Sequence, residues 1–180
     1  MTDPAVPGSL GEPADPGEPE SESESESEVT LAAYAAELAE GVSAALGPWV
    51  ERSVAGRAEQ WSPGSGPELA DGAAAAGRRA ARDVGGRVRA LLETDVDEQA
   101  TGPLAVLREA VRYPTEVLVG AGVPPVARDE FAERAFPDDV YDLAPATFAD
   151  LDPALQGPGL TWGAAKAHVV LSRRRSEGRR

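Results

Sequence analysis

Apolar positions along the chain fall into segments of helical period, divided by proline and glycine. Between residues 29 and 46, Leu31, Ala35, Leu38, Val42 and Ala45 recur at spacings of four and three, and Tyr34 and Leu46 widen the stripe. That pattern predicts an amphipathic helix capped by Thr30. Gly47-Pro48 predicts an interruption, because proline disfavours helix at the residue before it. Pro48 then suits the first position of a second helix reaching to about Trp61, with Trp49, Val50 and Val54 on its apolar face. Residues 62–66 read as a loop.

Pro67 predicts a third helix running to about Leu92. Leu69, Ala73, Ala76, Ala80, Val84 and Leu91 share one face, and Arg78, Arg82 and Arg89 lie opposite, with Arg79 beside them. Gly85-Gly86 marks a point of weakness, since each glycine costs about 1 kcal/mol relative to alanine. Thr101 and Pro103 announce a short helix lined by Leu104, Leu107, Val111 and Tyr113. Pro114 interrupts it, and a further turn over residues 115–119 closes at Gly120 to Gly122. Short helical pieces follow over 126–136, 138–143 and 145–151, then a last helix over 161–175. No run alternates with the period of a strand. The predicted fold is therefore all-α, a small domain of several short proline-punctuated helices.

Composition changes the picture at the two ends. Of 180 residues with a net charge of −14, residues 1–28 carry −9 and residues 173–180 carry +4, which leaves −9 on residues 29–172. The first segment combines five prolines with the Ser-Glu run over 21–28, and has too little apolar surface to offset ordering entropy. It is expected to be a disordered acidic arm, and 173–180 a basic Arg-rich tail. Within the domain, residues 29–94 are Ala-rich. Six of the nine aromatics fall between Tyr113 and Trp162, so residues 100–172 are the better candidate for the core. Sixteen arginines against one lysine, with no isoleucine, fit the codon bias of a GC-rich genome, so Ala and Arg abundance says little about function.

The chain has no cysteine, which removes disulfides, thiolate nucleophiles and the usual zinc sites. The N-terminus lacks the pattern of a signal peptide. No uninterrupted apolar stretch approaches the roughly 20 residues of a membrane span. The expected location is cytoplasmic, with no membrane partner.

Candidate chemistry is sparse. Ser21, Ser23, Ser25 and Ser27 each precede an acid and are candidate phosphorylation sites, each adding about −1.5 to −2 charges; the same run also reads as a solubilising arm. Arg78, Arg82 and Arg89, with Arg173, Arg174 and Arg175 of the tail, are the candidate interaction residues. They suit nucleic acid, an acidic protein or the tethered arm itself, or form an ordinary solvated face. The acids Asp129, Glu130, Glu133, Asp138, Asp139, Asp142, Asp150 and Asp152 offer oxygen ligands for a hard cation, but the spacing fits no calcium loop, and helix capping explains Asp138, Asp139 and Asp152. His168, the single histidine, has no evident catalytic partner in the sequence. No catalytic residue, metal ligand or cofactor is expected.

The block Val111-Arg112-Tyr113-Pro114-Thr115-Glu116-Val117-Leu118, followed by Gly122-Val123-Pro124-Pro125, Arg128-Asp129-Glu130-Phe131 and Asp138-Asp139-Val140-Tyr141-Asp142-Leu143, resembles a family of uncharacterised actinobacterial proteins. The resemblance covers residues 100–172 and implies a shared fold without an activity. The expected function is a non-enzymatic protein-interaction or regulatory module. The alternatives are a nucleic-acid-associated protein inhibited by its own acidic arm, and a carboxylate- and metal-dependent enzyme.

Overall fold

A computed structural model describes residues 20–99, 101–127 and 138–179. Residues 1–19 of the arm expected over 1–28, and most of the helical piece expected around 126–136, lie outside the described residues. Among those described the fold is all-α, with no strand: α1 (Glu20–Trp61), α2 (Ala70–Glu93), α3 (Pro103–Arg108), α4 (Arg112–Gly120) and α5 (Gln156–Glu177), joined by short 3₁₀ turns.

The first two expected helices are one. α1 passes through Pro48, which has no N–H to give the carbonyl one turn earlier, and such a proline costs about 3 kcal/mol in a helix interior. The tertiary context outweighs it. Val42, Ala45, Leu46, Trp49 and Val50 form one buried stripe on both sides of the proline, while Pro48 itself faces solvent. Burying a side chain the size of Leu or Val contributes about 1.5–3 kcal/mol, so the stripe exceeds the local penalty several times over. α1 also starts at Glu20, ahead of the predicted start at residue 29, so the Ser-Glu run occupies its first turns.

α2 is likewise unbroken at Gly85-Gly86. Its buried face is Ala73, Ala76, Gly77, Ala80, Val84, Gly85, Val88 and Leu92, close to the predicted one. Leu69 and Leu91 sit only partly buried at its margins. The glycines explain how so thin a face forms a core. A Cβ on Gly77 would lie 2.9 Å from the Gly47 carbonyl oxygen and 3.0 Å from its Cα. One on Gly85 would lie 3.0 Å from the Ser43 hydroxyl. α1 and α2 therefore run antiparallel with their backbones nearly touching. The turn between them is built locally: Gly64 adopts φ +87°, its N–H donates to the Glu59 carboxylate at 2.9 Å, and the Ser65 hydroxyl donates to the Ala58 carbonyl at 2.9 Å.

The C-terminal half packs around this hairpin, so the Ala-rich helices and the aromatic half share one core. α3 begins at Pro103 as predicted, and the chain stays helical through a 3₁₀ turn over Glu109–Val111 into α4, which carries Pro114 in its first turn. Gly122, at φ +76°, ends the run. Tyr113, Tyr141, Phe148 and Trp162 all join the common core.

The irregular stretch over 138–155 is held by side chains from distant helices. Arg57 donates to the Tyr141 carbonyl at 2.6 Å, Arg108 to the Pro145 carbonyl at 3.2 Å, and Arg52 to the Leu151 carbonyl. The buried Asp139 carboxylate accepts from the Leu143 and Ala144 N–H groups at 2.9 and 2.7 Å. Thr147 and Asp150 form a reciprocal capping box, and Asp152 caps the next turn through the Ala154 N–H. α5 starts at Gln156, before its predicted start, and runs antiparallel to α1: its N-terminal end lies by Gly41 and its C-terminal end by Glu28.

Two glycines on one helix should behave oppositely. Gly77→Ala gains up to about 1 kcal/mol of helix propensity but drives a methyl into the α1 backbone, an overpacking cost of about 1–3 kcal/mol; net destabilisation is expected. Around Gly86 a Cβ meets nothing within 4 Å, so Gly86→Ala should stabilise by about 1 kcal/mol. Urea denaturation midpoints read both. Tyr141 is wholly buried and its hydroxyl donates to the Val123 carbonyl at 2.6 Å. Tyr141→Phe leaves that carbonyl unpaired and should cost about 1–3 kcal/mol in the same measurement.

Candidate interaction surfaces

Two charged surfaces emerge from this packing. The first is the outer face of α2. Arg78 and Arg82 are exposed as predicted, while Arg89 is half-buried. The face is less basic than the sequence suggests, because α2 and its neighbours interleave carboxylates among the guanidinium groups. Arg79 pairs with Glu116 at 2.8 Å, Arg82 with Asp83 at 2.9 Å, and Arg87 with Glu109. Among the described residues, Arg78 and Arg89 have no ion-pair partner.

Tyr113 organises the border of this face. Its hydroxyl accepts from Arg112 at 2.7 Å and donates to Asp83 at 3.0 Å. Arg79 and Arg112 also stand 5.5 and 4.8 Å from the centre of its ring. The Tyr113 hydrogen bond, helped by Arg82, holds the Asp83 carboxyl below the ordinary carboxylate range, and the same hydroxyl pushes the Arg112 guanidinium up. For Asp83 the sign is that of a depressed acid. Whatever it contributes to stability is present above the ordinary carboxylate pKa and lost as pH falls through the lowered one.

The second surface lies where α1 starts and α5 ends. α5 continues to Glu177, and Arg173, the first arginine of the basic tail, lies within it, as the expected helix over 161–175 places it. It donates to Asp95 at 2.7 Å and to Glu28 at 3.0 Å. Glu28, the last acid of the Ser-Glu run, thus pairs with the first arginine of the tail rather than with Arg78, Arg82 or Arg89. Because α1 and α5 are antiparallel, the earlier turns of α1, with Ser25 exposed and Ser27 half-buried, and the later turns of α5, with exposed Arg174 and Arg175, continue past this pair at the same end of the bundle. A cleft of about 270 Å³ opens there, lined by Glu28, Leu31, Leu92, Asp95, Val169 and Arg173.

The remaining polar groups do structural work. Lys166 donates to Gln99 and stands 4.8 Å from the Trp162 ring, and burial pushes its pKa down. His168 is exposed on α5. Asp139, Asp150 and Asp152 hold backbone N–H groups, while Asp129, Glu130 and Glu133 lie outside the described residues. Among the described residues no three acids or histidines gather as metal ligands would.

By length and composition alone, residues 25–61 of α1 form a segment able to cross a membrane, a possibility that the expected break at Pro48 hid. In the fold, Leu38, Val42, Leu46 and Val50 of that segment are buried in the core. No protein-family model, curated protein or solved structure matches the chain.

Arg173 bridges Glu28 near the start of α1 to Asp95 just after α2, so Arg173→Glu should loosen the first turns of α1. Exposed pairs of this kind contribute at most about 1 kcal/mol, so global stability should barely move. Amide exchange at residues 26–31 should nevertheless accelerate several-fold. Unchanged exchange there would mean that the pair anchors nothing.

Proposed function

We propose that the chain is a non-enzymatic helical module that acts by binding another protein through the outer face of α2. The supporting observation is the interleaving of Arg79, Arg82 and Arg87 with Glu116, Asp83 and Glu109. Binding to a phosphate backbone draws its energy from counterions released by clustered cations. Here most of those cations already have carboxylate partners. A face with alternating charge instead matches a protein surface carrying the opposite alternation, where it fixes register and excludes wrong partners. Arg78 and Arg82 are exposed at its centre, and the Tyr113 hydroxyl links Arg112 and Asp83 at its border.

The acidic start of α1 fits a regulatory part in the same scheme. Its residue Glu28 pairs with Arg173, which supports a place for it beside the tail rather than on the α2 face. Phosphate on Ser25 or Ser27 would add charge at the first turns of α1, where the helix dipole favours anions, and beside Arg173 and Arg174.

The test is the triple variant Arg78→Glu, Arg82→Glu, Arg89→Glu, compared with the parent chain by affinity purification and cross-linking from the native host. A protein partner should be cross-linked to α2 in the parent and lost in the variant. In parallel, a chain beginning at Glu28 is titrated at low salt with duplex DNA and single-stranded RNA, and no binding is expected. Tight, salt-sensitive nucleic-acid binding by that shortened chain would replace this reading with the nucleic-acid one.

A further inference from the structure

α5 has two apolar faces, and the domain covers only one. Trp162 and Val169 are buried against the bundle, and Lys166 and Arg173 lie on the same side, reaching Gln99 and Asp95. At 100° per residue, Leu160, Ala164, Ala167 and Leu171 fall on the diametrically opposite side. All four are exposed, with Leu160 at 67% and Leu171 at 53%. This second stripe has the four-three-four spacing of a helix–helix seam and no charged residue within it. It is about 16 Å long.

The order of residues along the stripe indicates what covers it. Leucine, alanine, alanine, leucine, at separations of four, three and four, reads the same from either end. That is the requirement for a two-fold interface, in which residue i meets j and j meets i. In an antiparallel pair, Leu160 meets Leu171 of the second copy, and Ala164 meets its Ala167. Large residues close the ends, and small ones let the backbones approach in the middle. Gly163 beside the stripe adds to that freedom, since a Cβ there meets nothing of its own domain within 4 Å.

Charge selects the same arrangement. Arg174 and Arg175 follow the stripe at one end, and Asp150 and Asp152 precede α5 at the other. An antiparallel pair sets each arginine end beside the acidic end of the other copy and opposes the two helix dipoles. A parallel pair would stack Arg174, Arg175 and Arg179 of both copies on one another.

We propose that the outer face of α5 is a homodimer interface, formed by two antiparallel α5 helices related by a two-fold axis between residues 165 and 166. This surface is separate from the α2 face and does not depend on the reading given for it. One helix pair is small beside a standard interface of about 1,600 Å², so the dimer is reversible and depends on concentration.

Sedimentation equilibrium of the full chain over a concentration series should show a monomer–dimer exchange. Leu160→Asp with Leu171→Asp should shift the dissociation constant upward at least tenfold while leaving the circular dichroism spectrum and thermal midpoint unchanged, as both residues are exposed. Cysteine placement tests the direction independently, because the chain has no other thiol. A mixture of Leu160→Cys and Leu171→Cys proteins should form the mixed disulfide in preference to either like pair. A full chain that stays monomeric up to its solubility limit would overturn the proposal, as would a dimer untouched by the aspartates, or disulfides that form only between like variants.

Discussion

The contact on which the rest of the structure depends is the near-touching of two backbones, where α1 crosses α2 at Gly47 and Gly77. With no side chain on either residue, the helices come close enough for alanines to pack as a core. Alanine buries little area, and an Ala-rich pair at ordinary separation would leave voids whose lining atoms lose their dispersion partners. At this separation Ala73, Ala76 and Ala80 share one buried core with Ala45, Leu46 and Trp49. The close approach also explains why α1 survives Pro48: the neighbouring Gly47 is fixed against α2, and the helix is buried on both sides of the weak point. The hairpin is consequently narrow, and its remaining surface is closed by larger residues from the second half of the chain, above all Tyr141, Phe148, Leu151 and Trp162.

What the sequence made legible were the features decided within a turn or two. The apolar stripes of α1 and α2, the start at Pro103, the close at Gly122 and the capping role of Asp152 follow from local periodicity and backbone hydrogen bonding. The helix expected over 138–143 does not form, and Asp139 closes an irregular turn there instead. Proline and glycine inside helices were misleading for one reason. Their local penalties are fixed, about 1 kcal/mol for glycine and 3 for proline, whereas their tertiary return depends on a partner far along the chain. Gly85 reads as a break in isolation and as a contact once Ser43 is opposite it. The same distance hid Arg52, Arg57 and Arg108. Nothing in their own neighbourhoods signals that each donates to a carbonyl of the 138–155 stretch. Of the candidate site, the exposure of Arg78 and Arg82 was legible from helical phase. Two of the three carboxylates that interleave with the Arg face, Glu109 and Glu116, come from the 3₁₀ turn after α3 and from α4, and a reading of α2 alone contains only Asp83.

The segregation of charge along the chain takes on a spatial meaning in the fold. Antiparallel α1 and α5 carry the acidic run and the basic tail to one end of the bundle, where Arg173 joins Glu28 and Asp95. Charges far apart in sequence are thereby neighbours, and the basic surface left over is the mixed one on α2. An arm held to the tail by exposed ion pairs is weakly held, and screening or added charge shifts it by an energy comparable to the pair itself. That is the energy scale on which a covalent phosphate acts.

Alanine has opposite meanings on two helices of this chain, and the difference lies in what faces it. On α2 the alanines are covered because Gly77 and Gly85 bring α1 close. On α5, Ala164 and Ala167 are uncovered because the helix already meets its own domain through Trp162 and Val169 on the other side. A solvent-facing helix surface in a monomer ordinarily carries charge, and α5 has arginine available in quantity immediately after the stripe. An apolar stripe left bare there, in an order that reads alike in both directions, points to another helix of the same sequence as its cover.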